Sequence, residues 1–98
     1  MPIINRIAEF HNKMIEWRKD IHSHPELAYQ EKRTAKKVVE LLKEFKVDEI
    51  HEGIGGTGVV GVIKNGVGSK IGLRADMDAL PITEVNKCDH ASNNKGVM

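Results

Sequence analysis

The run Leu73-Arg74-Ala75-Asp76-Met77-Asp78-Ala79-Leu80-Pro81 holds the residues best suited to chemistry in this chain. On an extended strand alternate side chains share a face. Ile71, Leu73, Ala75 and Met77 would then face a core, and Arg74, Asp76 and Asp78 would line the other side at about 6.6 to 6.8 Å intervals. Two aspartates and an arginine near the carboxyl end of a strand, where open α/β sheets place ligands, can orient a metal-bound histidine or hold a cation. The same pattern also describes a solvated charged edge, and the residues alone leave the two readings level.

Two other constellations are weaker. Gly53-Ile54-Gly55-Gly56-Thr57-Gly58 has the Gly-x-Gly-x-x-Gly spacing that brings pyrophosphate to a helix start. Here Val59-Val60-Gly61-Val62-Ile63 follows, a β-branched strand pattern, so no helix dipole would await a phosphate and a tight turn is the expectation. His22, His24, His51, Cys88 and His90 suggest a scattered zinc site, but none has Cys-x-x-Cys or helical His-x-x-x-His spacing, and structural roles are expected. Ser23 and Glu26 have capping-box spacing, a helix-start signal.

The elements that must position these residues follow from periodicity. Ile3, Ile7, Phe10, Met14, Trp17 and Ile21 step by four and three, predicting one helix from Ile3 to Ile21 whose stripe is too short for a coiled coil and should lie on a core. Pro25 ends it, with a corner over His22 to Leu27. A second helix is predicted from about Tyr29 to Phe45, with Ala35, Val38, Leu42 and Phe45 on its inner face, antiparallel to the first. Val47 to His51 reads as a short strand. The run Val59 to Ile63 should be covered on both faces, and Asn65-Gly66 with Gly68-Ser69 should turn it into a partner strand over Lys70 to Ala79, making a hairpin. Asn86 to Gly96 is polar and reads as a loop.

Composition narrows the classes. Ninety-eight residues allow one small domain or part of one, and 40% apolar with 30% charged residues is an ordinary globular mixture. A formal net charge of +1 supplies no field for nucleic acid or anionic lipid. With no signal-peptide core or spanning segment, no membrane partner and a cytoplasmic location are expected. A lone cysteine allows no internal disulfide.

Read in order, three blocks resemble the dinuclear metal amidohydrolases, a family that includes aminoacylases, hippurate hydrolases, auxin-conjugate hydrolases and related carboxypeptidases. They are Trp17-Arg18-Lys19-Asp20-Ile21-His22-Ser23-His24-Pro25-Glu26-Leu27 with Glu31 and Thr34-Ala35, Gly53 to Gly61, and Leu73 to Pro81 followed by Ile82 and Glu84. The resemblance implies an α/β fold, the N-terminal part of a zinc-peptidase-like catalytic domain, with residues 1–98 forming two antiparallel helices followed by a β-hairpin of a mixed sheet. It also implies hydrolysis of N-acyl amino acids or short peptides by a water that two divalent ions, zinc or manganese, activate. More distant relatives carry His-x-Asp at the equivalent strand end. Asp78 matches the aspartate that orients the metal-bound histidine, and Asp76 stands where that histidine would be. In the nearer subgroup a downstream His-Ala-Cys-Gly-His-Asp motif supplies ligands instead. Ala91 to Met98 resembles its lead-in, so this chain is expected to stop short of the ligands, to hold no metal and to be inactive alone. Cys88 does not match the ligand cysteine. The competing expectation is a non-catalytic α/β interaction domain that binds a protein partner, and an unpaired sheet edge would favour self-association.

Overall fold

A computed structural model describes residues 3–98. Its elements are α1 (Asn5–Ala8), α2 (His11–Ser23), α3 (Lys32–Glu44), β1 (Glu49–Ile54) and β2 (Gly58–Val62). The expected pair of helices followed by a hairpin is present, with differences that each have a local cause.

The single first helix is broken. The Phe10 amide donates to the Ile7 carbonyl at 3.0 Å, a tightened turn, before Met14 resumes the α pattern on Phe10 at 2.9 Å. The apolar stripe survives the break but lacks a cover on its first half: Ile3 is 63% exposed and Ile7 50%. Its second half is used. Trp17 meets Phe45 edge to face, with ring centroids 5.6 Å apart. Asp20, later on α2, pairs with Arg33 at the start of α3. These contacts join neighbouring residues of α2 to opposite ends of α3.

Helix α2 stops at Ser23, where His24 leaves the helical region and the buried Pro25 follows. Helix α3 starts at Lys32, three residues later than periodicity suggests. Tyr29 takes a left-handed conformation (φ 64°), which no helix interior accepts. Instead the Glu26 carboxylate reaches across the corner. One oxygen accepts the Thr34 amide at 2.6 Å and the Thr34 hydroxyl at 2.7 Å, and the other accepts the Arg33 amide at 3.0 Å. Two orphan donors of α3 are thereby satisfied from eight and seven residues upstream. The capping-box reading of Ser23 with Glu26 is corrected: Ser23 closes α2 by donating to the Asp20 carbonyl at 3.0 Å, and Glu26 caps the next helix.

The strand pairing also differs from expectation. β1 and β2 pair antiparallel around the glycine-rich loop, with Glu49 opposite Val62, His51 opposite Val60, and an irregularity before Ile54. Positive φ at Gly53, Gly55 and Gly56 lets three residues reverse the chain. The turn through Asn65 to Ser69 forms no hairpin, and β2 has β1 as its ladder partner among the described residues. The Val59–Ile63 run is covered on one side only, Val60 being 45% exposed and Ile63 76%. Helix α3 lies on the inner side, where Gly61 is close to Leu42 and Val47.

Lys70 to Ala79 is not paired in a ladder. Its single bridge is Ala79 beside Leu27, in parallel sense. The predicted alternation is visible but unpartnered: Ile71 is 89% exposed and Leu73 97%, whereas Met77 and Ala79 are half-buried. The last twenty residues form a loop, as expected for Asn86 to Gly96, but a tethered one. Asn93 donates to the Ser23 carbonyl at 2.9 Å, Ala79 to the Glu26 carbonyl at 2.8 Å, and Leu80 and Met98 exchange amide bonds at 2.8 and 3.0 Å.

Burial is correspondingly thin. Val39 and Val97 are the buried hydrophobic residues, and Thr34 and Glu31 the buried polar ones. Accessible surface is 8286 Å², against about 5,600 Å² for a compact monomer of this mass. No helix among the described residues is long and apolar enough to cross a membrane.

The hairpin gives a direct test of this packing. A Cβ on Gly58 would lie 2.4 Å from the Ile54 carbonyl oxygen. Gly58→Ala should therefore lower unfolding free energy by about 1–3 kcal/mol in urea titrations, while Gly55→Ala, which meets open space, should cost only its left-handed backbone strain of about 1 kcal/mol. Equal losses for the two variants would contradict the close approach at Gly58.

Candidate functional site

The corner between α2 and α3 and the segment that returns to it enclose an open groove of about 330 Å³. Arg18, Ile21 and His22 come to it from α2, Thr34 from α3, Met77 and Asp78 from the charged run, and Met98 from the final segment. The mixture suits a ligand with an apolar body and a charged or polar end. The helical positions follow from local causes. α2 presents Arg18, Ile21 and His22 on consecutive turns of one side, and the Glu26 cap fixes where Thr34 begins the next helix.

Asp78 lines this groove; Asp76 does not. Asp76 instead accepts a hydrogen bond from Arg74 Nε at 2.9 Å, with both side chains mostly in solvent. The shared face expected for Arg74, Asp76 and Asp78 requires a flat strand, and this segment lacks the ladder that would hold one.

Histidines that looked like a pair have separate partners. His22 Nε2 lies 2.8 Å from Glu84 Oε1, while His24 Nδ1 sits 2.9 Å from the Asp20 carbonyl. Glu84 is the residue that sequence reasoning passed over. Its side chain is 5% exposed, its second oxygen accepts the Ser92 amide, and the ring of His90 stands edge to face with His22, centroids 5.4 Å apart. Its place two residues after Ile82 in the third block was the available signal, but nothing local announces a partner 62 residues away. The Ser92 amide, then the His22 imidazole, lower the Glu84 pKa despite burial, and the charges of His22 and His90 act in the same direction.

A buried oxygen of Asp20 receives no hydrogen bond, but Lys37 Nζ is 3.9 Å away and Arg33 binds the other oxygen at 2.8 Å. The Arg33 hydrogen bond is the main reason the Asp20 pKa is lowered; burial opposes it, and the charges of Arg33, Lys37 and His24 assist. This is a brace between α2 and α3.

Among the described residues no three His, Cys, Asp or Glu side chains converge in a way that could hold a metal ion. Cys88 is exposed. The glycine-rich loop leads into β2, as its context predicts, and the start of the nearby α3 is already occupied by carboxylates: Glu26 takes the Arg33 and Thr34 amides, and Glu31 takes the Tyr29 amide and the Thr57 hydroxyl. An incoming phosphate would meet negative charge there.

Comparison with known proteins places these features in context. The chain is 46% identical, over all of its length, to a hippurate hydrolase of Campylobacter jejuni, and it spans 26% of that protein. It is 40% identical to an N-acyl-L-amino acid amidohydrolase of Geobacillus stearothermophilus over 94% of its own length and 25% of that protein's. The solved structure of the Bacillus subtilis YXEP protein, a dinuclear metal binding peptidase from the M20 family, superposes with a TM-score of 0.83 at 40% identity, covering 93% of this chain and 26% of that one. No family model matches the chain. It therefore spans about a quarter of the length of the relatives it matches.

The cap that builds the corner predicts a pH response. Burial works against ionisation of Glu26, but hydrogen bonds from the Thr34 hydroxyl and amide and from the Arg33 amide outweigh it and hold the pKa below the ordinary 4.5. A lowered carboxyl pKa contributes stability that is complete above the unfolded value and is lost as pH falls through the folded one. Glu26→Ala should cost about 1–2 kcal/mol near neutral pH. The gap between parent and variant should close in acid below the ordinary Glu value, as read from urea midpoints across pH. A gap independent of pH would mean that Glu26 is not the cap.

Proposed function

We propose that this chain, a member of the metal-dependent amidohydrolase and M20 peptidase family, supplies the corner and groove of a catalytic domain that hydrolyses the amide bond of N-acyl amino acids or short peptides. The observation that carries the reading is identity of 40% or more through nearly the whole chain, together with a fold that gathers Arg18, His22 and Asp78 around one groove.

Two divalent ions, zinc or manganese, would supply an acidified water to that reaction. The side chains described here do not fit such a centre by themselves: no donor set of three converges, and Asp76 is engaged by Arg74 in solvent. No hydrolytic step is therefore assigned to this chain alone. Its own contribution is positional. Asp78 is the candidate for orienting a ligand brought to the groove, and Arg18 offers a cation to a substrate carboxylate.

Purified chain supplied with zinc or manganese should give no turnover of hippurate or N-acetyl amino acids above buffer. Addition of a polypeptide carrying the remaining three quarters of a relative should restore hydrolysis, and Asp78→Asn should then lower it by about 10- to 100-fold. Hydrolysis by the isolated chain would overturn this division of labour.

A second reading rests on the uncovered segment from Lys70 to Ala79, with Ile71 and Leu73 almost fully in water. Extended backbone without a ladder and with apolar side chains on alternate positions is a pairing surface. Self-association through it, or capture of a protein partner, would make the chain an interaction module. Sedimentation velocity should then show mass rising with concentration, and Leu73→Lys should suppress the rise; a monomer at all concentrations counts against self-association.

A further inference from the structure

The family reading gives Asp78 a role but leaves open what holds the groove around it, because the segment carrying Asp78 belongs to no sheet. The hydrogen bonds supply an answer. An ionised carboxylate only accepts, so the 2.8 Å contact requires the proton of His22 to sit on Nε2 and point at Glu84. The other Glu84 oxygen holds the Ser92 amide. The Ser92 hydroxyl donates to the Val97 carbonyl at 2.7 Å, and Val97 is the most buried residue of the final segment. Its neighbour Met98 exchanges two amide bonds with Leu80, two residues from Asp78, and both Met98 and Asp78 line the groove.

We infer that His22 and Glu84 are a positioning pair: through Ser92 and Val97 they hold Met98 against Leu80 and so set the groove wall that carries Asp78. The inference rests on the reading of this groove as the site of the proposed domain, but the clamp itself is a property of the isolated chain. The His22–Glu84, Glu84–Ser92 and Ser92–Val97 links are short and part-buried, and the chain of contacts has no break between α2 and the Leu80–Met98 pairing. His90 packs on His22 from the same segment, so the imidazole is held on two sides.

Amide hydrogen exchange measured by NMR on the full chain tests this. Glu84→Ala and His22→Ala should each speed exchange at Leu80, Ser92 and Met98 by about tenfold or more, the loss expected when a buried hydrogen bond is removed, with amides inside α3 unchanged. His22→Gln retains an N–H donor near the Nε2 position and should recover most of the protection. The Asp78 carboxyl carbon resonance should move with Glu84→Ala and return with His22→Gln relative to His22→Ala. Unchanged exchange at Leu80 and Met98 overturns the clamp. Faster exchange with a static Asp78 resonance leaves a structural tether and overturns the positioning role. Should Glu84→Ala lose protection everywhere, the contrast between His22→Ala and His22→Gln decides the matter. Failure of the hydrolysis experiment would sink the family-derived activity while leaving these exchange results intact, so the two claims fail separately.

Discussion

The carboxylate of Glu26 is the contact from which the rest of this structure follows. A helix start leaves amides without partners, and here the shortfall is met from the preceding corner by a side chain that binds the Arg33 and Thr34 amides and the Thr34 hydroxyl. The backbone of the same residue accepts Ala79. One position thus decides where α3 begins and where the charged run returns. Thr34 becomes the most buried side chain of the described structure because it sits at that junction, satisfied through both its amide and its hydroxyl.

This organisation explains an unusual distribution of burial. The interior is centred on hydrogen-bonded polar groups, with Val39 and Val97 as its buried hydrophobic members, while Ile71 and Leu73 stand in water. A radius of gyration of 15.6 Å exceeds the roughly 12.6 Å of a compact chain of this length. Apolar alternation along Lys70 to Ala79 prepares a strand, but a strand needs neighbours to become a sheet. The same shortage accounts for Ile3 and Ile7 on the first turns of the helical stripe. The hippurate hydrolase and the YXEP protein that match this chain are about four times longer.

The groove is therefore a local assembly with long-range contributors. α2 brings Arg18 and His22, the corner brings Pro25, and two late segments bring Asp78 and Met98. Electrostatics follow the same plan. Asp20, Glu26 and Glu84 each have lowered pKa values because donors are aimed at their charged forms, the Arg33 guanidinium at Asp20, the Thr34 hydroxyl and two amides at Glu26, and the Ser92 amide with His22 at Glu84. They brace elements against one another. Asp78 lines the groove without a hydrogen-bond partner among the described residues.

Elements set by contacts a few residues apart were legible in the amino-acid sequence: the stripe of Trp17 and Ile21, the stop at Pro25, the face of α3, and the refusal of the glycine-rich loop to serve a phosphate, since a strand follows it. Family resemblance was legible too, because its three blocks are contiguous. What tertiary structure decided were the choices among partners. Gly53 to Gly58 and Asn65 to Ser69 both read as turns, and the fold makes the first one the hairpin while Lys70 to Ala79 joins no ladder. Glu26 could cap its own neighbourhood or the next helix, and the left-handed Tyr29 put the next helix within reach. Glu84 stood in the third block, but its partner is a histidine 62 residues away that nothing local announces. Periodicity records which face of an element is apolar; it carries no record of which distant group will arrive there.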